Sequence, residues 1–381
     1  MYSVVGSFPL FFAGGFAIRL QEDLGISKSQ FGLTIAAYFI TSAVGSFVIG
    51  SLIDKFGTRS GFGLAGVGGG VSAVLVAISQ SFWPLAIALG LAGISNTAGQ
   101  LAGNRVLANV STKRQGLGFG TKQAAVPGSF IAGTVIGTLG AGIDWRASFL
   151  AYSVFAFATV LIIPNLDGAV AEQEPRRPVG ADWPMLTALA IAGFLGGAAG
   201  NGLAVLTVDF FSVAGFAERV GAAALALGSG ITIVTRTGIG WFAGRRESTG
   251  FIEIGIAMTV GAVGFVLLSI GQGSVAILWA GAAIAFLGAW GWPGVMYYAD
   301  VKNATTTPGT ATGFVVTGVF MGGIAGAPVL AAIAERVSYD VAWLTAAIMG
   351  AVAAGLTIVA SRLAAVRRSQ VRDAARVATA L

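Results

Sequence analysis

Three basic residues and one acidic residue stand inside long apolar stretches of the sequence, where a charge is costly. The basic residues are Arg105, Lys122 and Arg236, and the acid is Asp209. An ionisable side chain within a membrane segment usually faces a partner or a water-filled cavity and marks the path of a solute or ion. A cation in such a place can bind an anion, and a partly buried carboxyl group can carry a proton. These four residues are the first candidates for function.

The composition excludes several other kinds of site. The chain has no cysteine and no histidine, which removes disulfides, thiol nucleophiles, Cys/His zinc or haem sites and histidine proton relays. No apolar run carries a nucleophile–base pair, a metal-binding constellation or a pair of acids, so we expect neither an enzyme nor a cofactor nor a metal. Any proton path is confined to carboxylates and water.

The chain is too poor in charge to be a soluble globule. Of its 381 residues 55% are hydrophobic and 10% are charged, with a mean hydropathy of +0.83, whereas soluble domains carry roughly 25% charged residues. A bilayer core needs about 20 apolar residues per helix. Because the first apolar run begins at Met1 and is short for a spanning helix, we expect the native chain to start upstream. Twelve helical spans are predicted over residues 1–18, 31–53, 61–79, 82–110, 116–141, 146–164, 183–211, 221–244, 251–271, 274–300, 310–334 and 341–361.

The distribution of charge predicts the orientation in the membrane. Most of the 22 Lys and Arg residues fall in the loops of one side and in the tail. The positive-inside rule therefore predicts a multi-pass protein of the cytoplasmic (inner) membrane with both termini in the cytoplasm. The net charge of +6 is a topology signal, and no basic face indicates a nucleic-acid partner. We expect a monomer whose partners are the lipid bilayer, a small solute and a coupling proton.

An internal repeat divides the chain. The polar linker 165–182 separates a six-helix half at 1–164 from a second at 183–365, and a tail follows at 366–381. Three segments of the first half match the second half in order: 50–55 with 240–245, 120–133 with 313–326, and 145–149 with 339–343. Repeats of this kind are a common way to build a transporter.

One loop carries a family motif. Residues 50–59 read G-S-L-I-D-K-F-G-T-R and match the pattern G-x-L-x-D-R/K-x-G-R/K-R/K except at one basic position, Thr58. Here the chain resembles the major facilitator superfamily, and its bacterial branch of poorly assigned substrates in particular. The resemblance implies an all-α membrane fold of two pseudo-symmetric six-helix bundles. The motif positions are Gly50, Asp54, Lys55, Gly57 and Arg59.

The resemblance also implies a gate. In the family this loop locks the cytoplasmic side, and a basic residue at the place of Arg105 supports it, although a substrate role for Arg105 stays open. The second-half copy contains Gly240, Gly244 and Arg245, and Gly244 stands where Asp54 stands. A lock there must be weaker or built differently, because the acid is missing.

Lys122 and Arg236 are the leading candidates for substrate binding. They lie roughly 9 Å and roughly 12 Å deep at 1.5 Å per residue, on two helices that the resemblance places together beside a central cavity. We expect them to clamp a carboxylate, with Arg236 making a bidentate contact and Lys122 acting as a point charge. Alternatively each pairs with a local carbonyl, snorkels, or stabilises one state of the gate. The other predicted pocket residues are Tyr38, Asn96, Gln100, Asn104, Gln123, Asn201, Trp290, Trp292 and Tyr297.

Asp209 is the candidate for proton coupling, although a hydrated position at the outer rim, paired with Arg219, is the alternative. Asp300 is interpreted as a helix-end or gate residue.

The predicted function is a secondary transporter of a small organic anion, working by alternating access and coupled to protons. Sodium coupling, exchange and facilitated diffusion stay open, and the runner-up is a proton-driven exporter of drugs or metabolites. Pro127 lies in a segment that departs from the glycine-rich motif of drug-efflux antiporters. This departure weakens the case for an exporter without excluding one.

Overall fold

The structure is a computed structural model that describes residues 2–139, 144–163, 182–304, 306 and 308–380. The predicted linker 165–182 lies outside the described residues except for Asp182, so the boundary between the halves stays a prediction. The described part contains no strand. Its helices are α1 Tyr2–Gly15, α2 Ala17–Leu24, α3 Lys28–Phe56, α4 Thr58–Ile78, α5 Phe82–Ala108, α6 Thr112–Leu139, α7 Trp145–Leu161, α8 Trp183–Val213, α9 Glu218–Arg245, α10 Phe251–Ile270, α11 Val275–Ala289, α12 Pro293–Asn303, α13 Pro308–Arg336 and α14 Tyr339–Ala380.

Each of the twelve predicted runs contains a helix. The first run, 1–18, contains α1 and ends two residues into α2, after a break at Phe16, and the tenth run is split between α11 and α12. The second break has a clear sequence cause: Gly291 offers little helix propensity, and Pro293 begins α12 at a position where its missing N–H costs nothing. By length and composition, eight segments in the described part can cross a membrane, one of them α11 and α12 together, and the two halves of α3, bent by 49°, form a further candidate.

The helices pack as two bundles. In the first half α1, α4 and α5 contact one another, α5 also lies along α3, and α6 lies along α1. In the second half α8 packs against α13 and α14, and α10 packs against α11 and α14. The two halves meet chiefly where α3 packs against α13 and where α6 packs against α9. These two contacts are equivalent under the internal repeat, as a pseudo-symmetric fold requires.

The predicted tail is the end of the long helix α14. Arg367 on this extension forms an ion pair with Asp182, which is 1% exposed and precedes α8. The backbone N–H of Thr306, between α12 and α13, donates to the same carboxylate at 2.9 Å. Asp182 therefore ties the α12–α13 connection and α14 to the start of the second bundle.

Candidate functional site

A cavity of about 90 Å³ lies between the two halves, deep within the bundle. Nine of the eleven predicted pocket residues line it: Tyr38, Asn96, Gln100, Gln123, Asn201, Arg236, Trp290, Trp292 and Tyr297. The prediction omitted Ser7, Phe11, Phe39, Val126, Gly196, Gly197, Pro293, Val319 and Phe320, which also line it. Most of these are apolar or small, and such residues are too common in an apolar helix to be singled out from sequence.

Arg236 spans the two halves at the wall of this cavity. Its side chain is 4% exposed. Its Nε donates to the backbone carbonyl of Trp290 at 2.7 Å, and one Nη donates to the carbonyl of Gln123 at 2.6 Å. The guanidinium carbon also lies 5.6 Å from the Trp290 ring centroid. One arginine on α9 thus holds α6 of the first half and the end of α11 in the second.

Both carbonyls are free for a reason that is visible in the sequence. Gln123 stands four residues before Pro127, whose ring nitrogen has no N–H to donate back along the helix. Trp290 is the residue at which α11 ends, and the last carbonyls of a helix have no partner within it. Arg236 supplies the missing donors. The proline in α6 therefore explains the position of the arginine in α9.

Lys122 does not share the cavity with Arg236. Its side chain is half-buried and turns toward α5, where Nζ donates to the carbonyl of Gln100 at 3.0 Å and to Oδ1 of Asn104. Lys122 and Asn104 are the two predicted substrate-binding residues that do not line the cavity. The physical reason is that α5 offers the ammonium two oxygen acceptors, so the lysine is satisfied without a ligand. Its Nζ still lies 5.6 Å from the ring centroid of Tyr297.

Amide side chains supply most of the remaining polarity of the cavity. Gln100 donates to Oε1 of Gln123 at 3.5 Å, and Asn201 donates to the carbonyl of Gly197 at 2.8 Å. Within the described part of the chain, Oδ1 of Asn96 and Oε1 of Gln100 have no hydrogen-bond donor although both atoms are buried. An unsatisfied buried acceptor is costly. These two oxygens are therefore acceptors that a bound solute or water can satisfy.

The structure places Asp209 away from the cavity. Its side chain is exposed near the end of α8 and accepts a hydrogen bond from the hydroxyl of Tyr339. Its partner is Tyr339 and not Arg219, the partner that the alternative interpretation names.

The first gate contact joins α3 to α13. Asp54 accepts hydrogen bonds from Arg105 at 3.3 Å and from the Thr310 hydroxyl at 3.2 Å, in the first turn of α13. Arg105 also donates to the carbonyl of Ile53 at 2.5 Å. A Cβ on Gly50 would meet the carbonyl of Gly309. We call this side of the bundle the Asp54 end. Tyr38 in the cavity lies 16 residues before Asp54, about 24 Å along the helix.

The other motif residues have plainer surroundings. Lys55 and Arg59 are exposed. Gly57 adopts a φ of 84°, which only glycine takes without strain, and so allows α4 to begin at once after α3. In the second-half copy Arg245 is exposed and packs over Trp241, 5.3 Å from its ring centroid.

The second predicted gate contact joins α6 to α9, and the closest approaches described there are between glycines and backbone. A Cβ on Gly240 would meet the carbonyl of Gly116, and a Cβ on Gly244 would crowd the carbonyl of Lys113 and the backbone of Gly116. A little deeper, a Cβ on Gly120 would meet the carbonyl of Arg236. Small residues let helix backbones approach closely. This contact is made by backbone against backbone, and its action as a lock stays a prediction.

Known proteins share both the sequence pattern and the fold. The sequence profile described as Major Facilitator Superfamily matches residues 3–306. The chain is 25% identical over 143 residues to "Tetracycline resistance protein, class B" of Escherichia coli, covering 38% of this chain and 35% of that protein. The match thus spans about a third of the length of the curated relatives.

Two solved structures illustrate the likeness in fold. The proton:xylose symporter XylE has a TM-score of 0.74 at 12% identity, covering 93% of this chain and 92% of that one. The human organic anion transporter MFSD10 (TETRAN) has a TM-score of 0.70 at 17% identity, covering 95% and 98%. With a profile match over most of its length and this two-bundle fold, the chain belongs to the Major Facilitator Superfamily and is a multi-pass membrane transporter.

Proposed function

We propose that this transporter moves a small organic anion through the central cavity by alternating access, with proton coupling. The observation that carries the proposal is Arg236. It is the one charged side chain among the described cavity-lining residues, and no described carboxylate lies within 4.0 Å of it. Its two hydrogen-bond partners are neutral carbonyls. The positive charge is therefore held in place but not neutralised, and a carboxylate entering the cavity supplies the missing charge.

The amides extend this proposal to the rest of the solute. With the carboxylate at Arg236, the unsatisfied amide oxygens of Asn96 and Gln100 can accept hydrogen bonds from a group that donates, such as a hydroxyl. A carboxylate with at least one hydroxyl is the solute class that satisfies both kinds of group. The same membrane topology as above belongs to the proposal: a monomer in the cytoplasmic membrane with both termini in the cytoplasm.

A binding assay on the purified protein tests the anion. The probes are lactate, propionate and succinate, with neutral xylose and cationic tetraphenylphosphonium as class controls, at equal ionic strength. A carboxylate that binds should raise the unfolding free energy by about 2.7 kcal/mol at a hundred times its Kd. Lactate should bind more tightly than propionate, from which it differs by one hydroxyl. If only the neutral or the cationic probe binds, the anion proposal is wrong.

Variants assign the binding to Arg236. Truncating one partner of a buried charge pair costs about 2–5 kcal/mol, so Arg236→Gln should weaken carboxylate binding by at least about thirty-fold. Arg236→Lys keeps the charge without the planar guanidinium, so its carboxylate affinity should lie between those of the wild type and Arg236→Gln. Lys122→Gln is the matched control, because Lys122 does not line the cavity. The elution volume in gel filtration shows which variants remain folded. Equal loss in Lys122→Gln and Arg236→Gln would instead favour the two-cation clamp.

The second candidate is a proton-driven efflux antiporter of drugs or metabolites. The observation that favours it is the partial match to tetracycline resistance proteins. Expression in a drug-sensitive bacterial host, with tetracycline as the probe, tests it: efflux raises the drug concentration needed to stop growth, and an anion importer leaves that concentration unchanged. The described cavity lining has no acid to attract a cationic drug, which is why we place this candidate second.

A further inference from the structure

Asp300 is the carboxyl group in the described structure with the poorest surroundings for a charge. It lies in α12, one helical turn after the cavity residue Tyr297, and its side chain is 0% exposed. Neither carboxyl oxygen has a hydrogen-bond partner among the described residues. A buried ionised carboxylate without a partner costs several kcal/mol, so such a position favours the neutral, protonated form.

The charged groups on the helices packed against α12 do not compensate Asp300. Arg105 pairs with Asp54, Lys122 is bound to α5, and Arg236 is bound to two carbonyls. Lys302 on α12 donates to the Tyr298 hydroxyl. Glu253 on α10 interacts electrostatically with the same hydroxyl. No described cation lies within 4.0 Å of Asp300. The other charged residues of the packed helices lie toward helix ends: Lys113, Arg114, Asp209, Glu218, Arg219, Arg245, Glu335 and Arg336.

Tyr297 connects this buried acid to the cavity. Its hydroxyl lies in the electrostatic field of both Arg236 and Asp300, and Gln123 lines the same cavity. Tyr297 also lines the cavity that contains Arg236. A change of charge at either Arg236 or Asp300 therefore acts on the same tyrosine.

The contacts of α12 link Asp300 to the second gate. This helix packs against α6 and α9, and a Cβ on Gly294 would meet the backbone of Gly120. Parting α6 from α9 and α12 would let water reach this segment. Water lowers the cost of an ionised carboxylate, so opening of the Asp54 end and loss of the proton from Asp300 favour each other.

We propose that Asp300 is the protonation site of this transporter: it is a neutral carboxylic acid while α12 is packed against α6 and α9, and it releases its proton when the Asp54 end opens. In that step the carboxyl O–H bond breaks, the proton passes to water and a hydrated carboxylate remains. The proposal deepens the proton coupling of the proposed function and rests on it. It replaces Asp209, whose exposed carboxylate already accepts a hydrogen bond from Tyr339, as the coupling site.

Infrared spectroscopy of the purified transporter tests the protonation state without any solute. At about pH 7 the wild type should show the carbonyl stretch of a protonated carboxylic acid, and Asp300→Asn should lack this band. Asp209→Asn is the control and should keep the band, because the carboxyl group of Asp209 is exposed to solvent and lies outside the buried segment. If Asp300→Asn leaves the band unchanged, Asp300 is not the protonated group. This outcome is independent of anion binding, so it separates a failure of this inference from a failure of the proposed function.

Cysteine labelling tests the link to opening, since the chain has no native cysteine. A reporter at Val301→Cys, next to Asp300 and 9% exposed, should react with a maleimide about ten-fold faster at about pH 8 than at about pH 6, after correction with the exposed reporter Ser51→Cys. Adding Asp300→Asn should remove this dependence. Adding Glu253→Gln, on the neighbouring helix α10, should preserve it. A pH-independent wild-type rate, or a dependence that survives Asp300→Asn, would overturn the proposal.

Discussion

The two gate contacts occupy equivalent positions in the repeat and work by different physics. Gly50 meets the backbone of Gly309 in the first, and Gly240 meets the backbone of Gly116 in the second. The two contacts differ one helical turn later. Asp54 in α3 bonds to Arg105 and Thr310, whereas Gly244 in α9 packs directly on Gly116. One contact relies on a charge at the N-terminus of a helix, and the other relies on close packing of two backbones.

The magnitudes rank the two contacts. Asp54 and Arg105 are about one-fifth exposed, so their ion pair contributes at most about 1 kcal/mol, and a charge near a helix N-terminus contributes about 0.3–1 kcal/mol. Overfilling a tight contact costs about 1–3 kcal/mol. We therefore expect the glycine contact to be the less tolerant of substitution and the acidic contact to be the one that salt weakens.

The largest effect is expected from Gly240→Leu, because its side chain must occupy the space taken by the Gly116 carbonyl. At a cost of about 2 kcal/mol, the contact should open about thirty-fold more often. The measurement is maleimide labelling of Ala243→Cys, a position that is 0% exposed, in detergent. Gly238→Leu is the matched control, since a Cβ there meets no atom within 4 Å. If the two leucine variants label at the same rate, the close packing of α6 and α9 does not hold the gate.

Restoring the missing acid should have the next largest effect, and it should open the gate. Gly244→Asp would place a carboxylate near the N-terminus of α6, which is favourable by about 0.3–1 kcal/mol. The added Cβ, however, would lie 2.9 Å from the carbonyl oxygen of Lys113, and the steric cost of about 1–3 kcal/mol exceeds that gain. Labelling of Ala243→Cys should rise about five-fold. A fall in labelling would mean that the second contact can accept the acidic lock after all.

Asp54→Asn should have an effect of about the same size, but one that depends on salt. Loss of the charge costs about 1 kcal/mol, which corresponds to an opening about five-fold more frequent. The reporter is Ala311→Cys, 0% exposed in the second turn of α13. Because partly exposed charges are screened, the ratio of variant to wild type should shrink at high salt. The effect of Gly240→Leu should not change with salt, and a common salt dependence would show that the two contacts do not differ in kind.

The sequence predicted most of the scaffold and part of the site. Helix positions followed from apolar length, and the pocket amides and tryptophans followed from the cost of polar groups in lipid. Lys122 could not be placed, because its orientation depends on the carbonyl of Gln100 and on Asn104, which the fold alone brings within reach. The sequence alone indicates a helix-end or gate residue at Asp300, because the burial of its side chain is produced by neighbouring helices. The contact of Arg236 with the Gln123 carbonyl has a signal in the sequence. A proline leaves the carbonyl four residues before it without its helical partner, and Gln123 stands four residues before Pro127.

Arg105→Lys should have the smallest effect and shows how the acidic contact is assembled. Arg105 donates to the Ile53 carbonyl at 2.5 Å and to Asp54 at 3.3 Å, so it holds the end of α3 as well as the carboxylate. Lysine keeps the charge but not the fork, at a cost of about 0.5 kcal/mol or about two-fold more labelling of Ala311→Cys. A double variant with Asp54→Asn separates the roles. If Arg105 acts mainly on the backbone, the two effects should multiply; if it acts only through Asp54, Arg105→Lys should add nothing once the acid is gone.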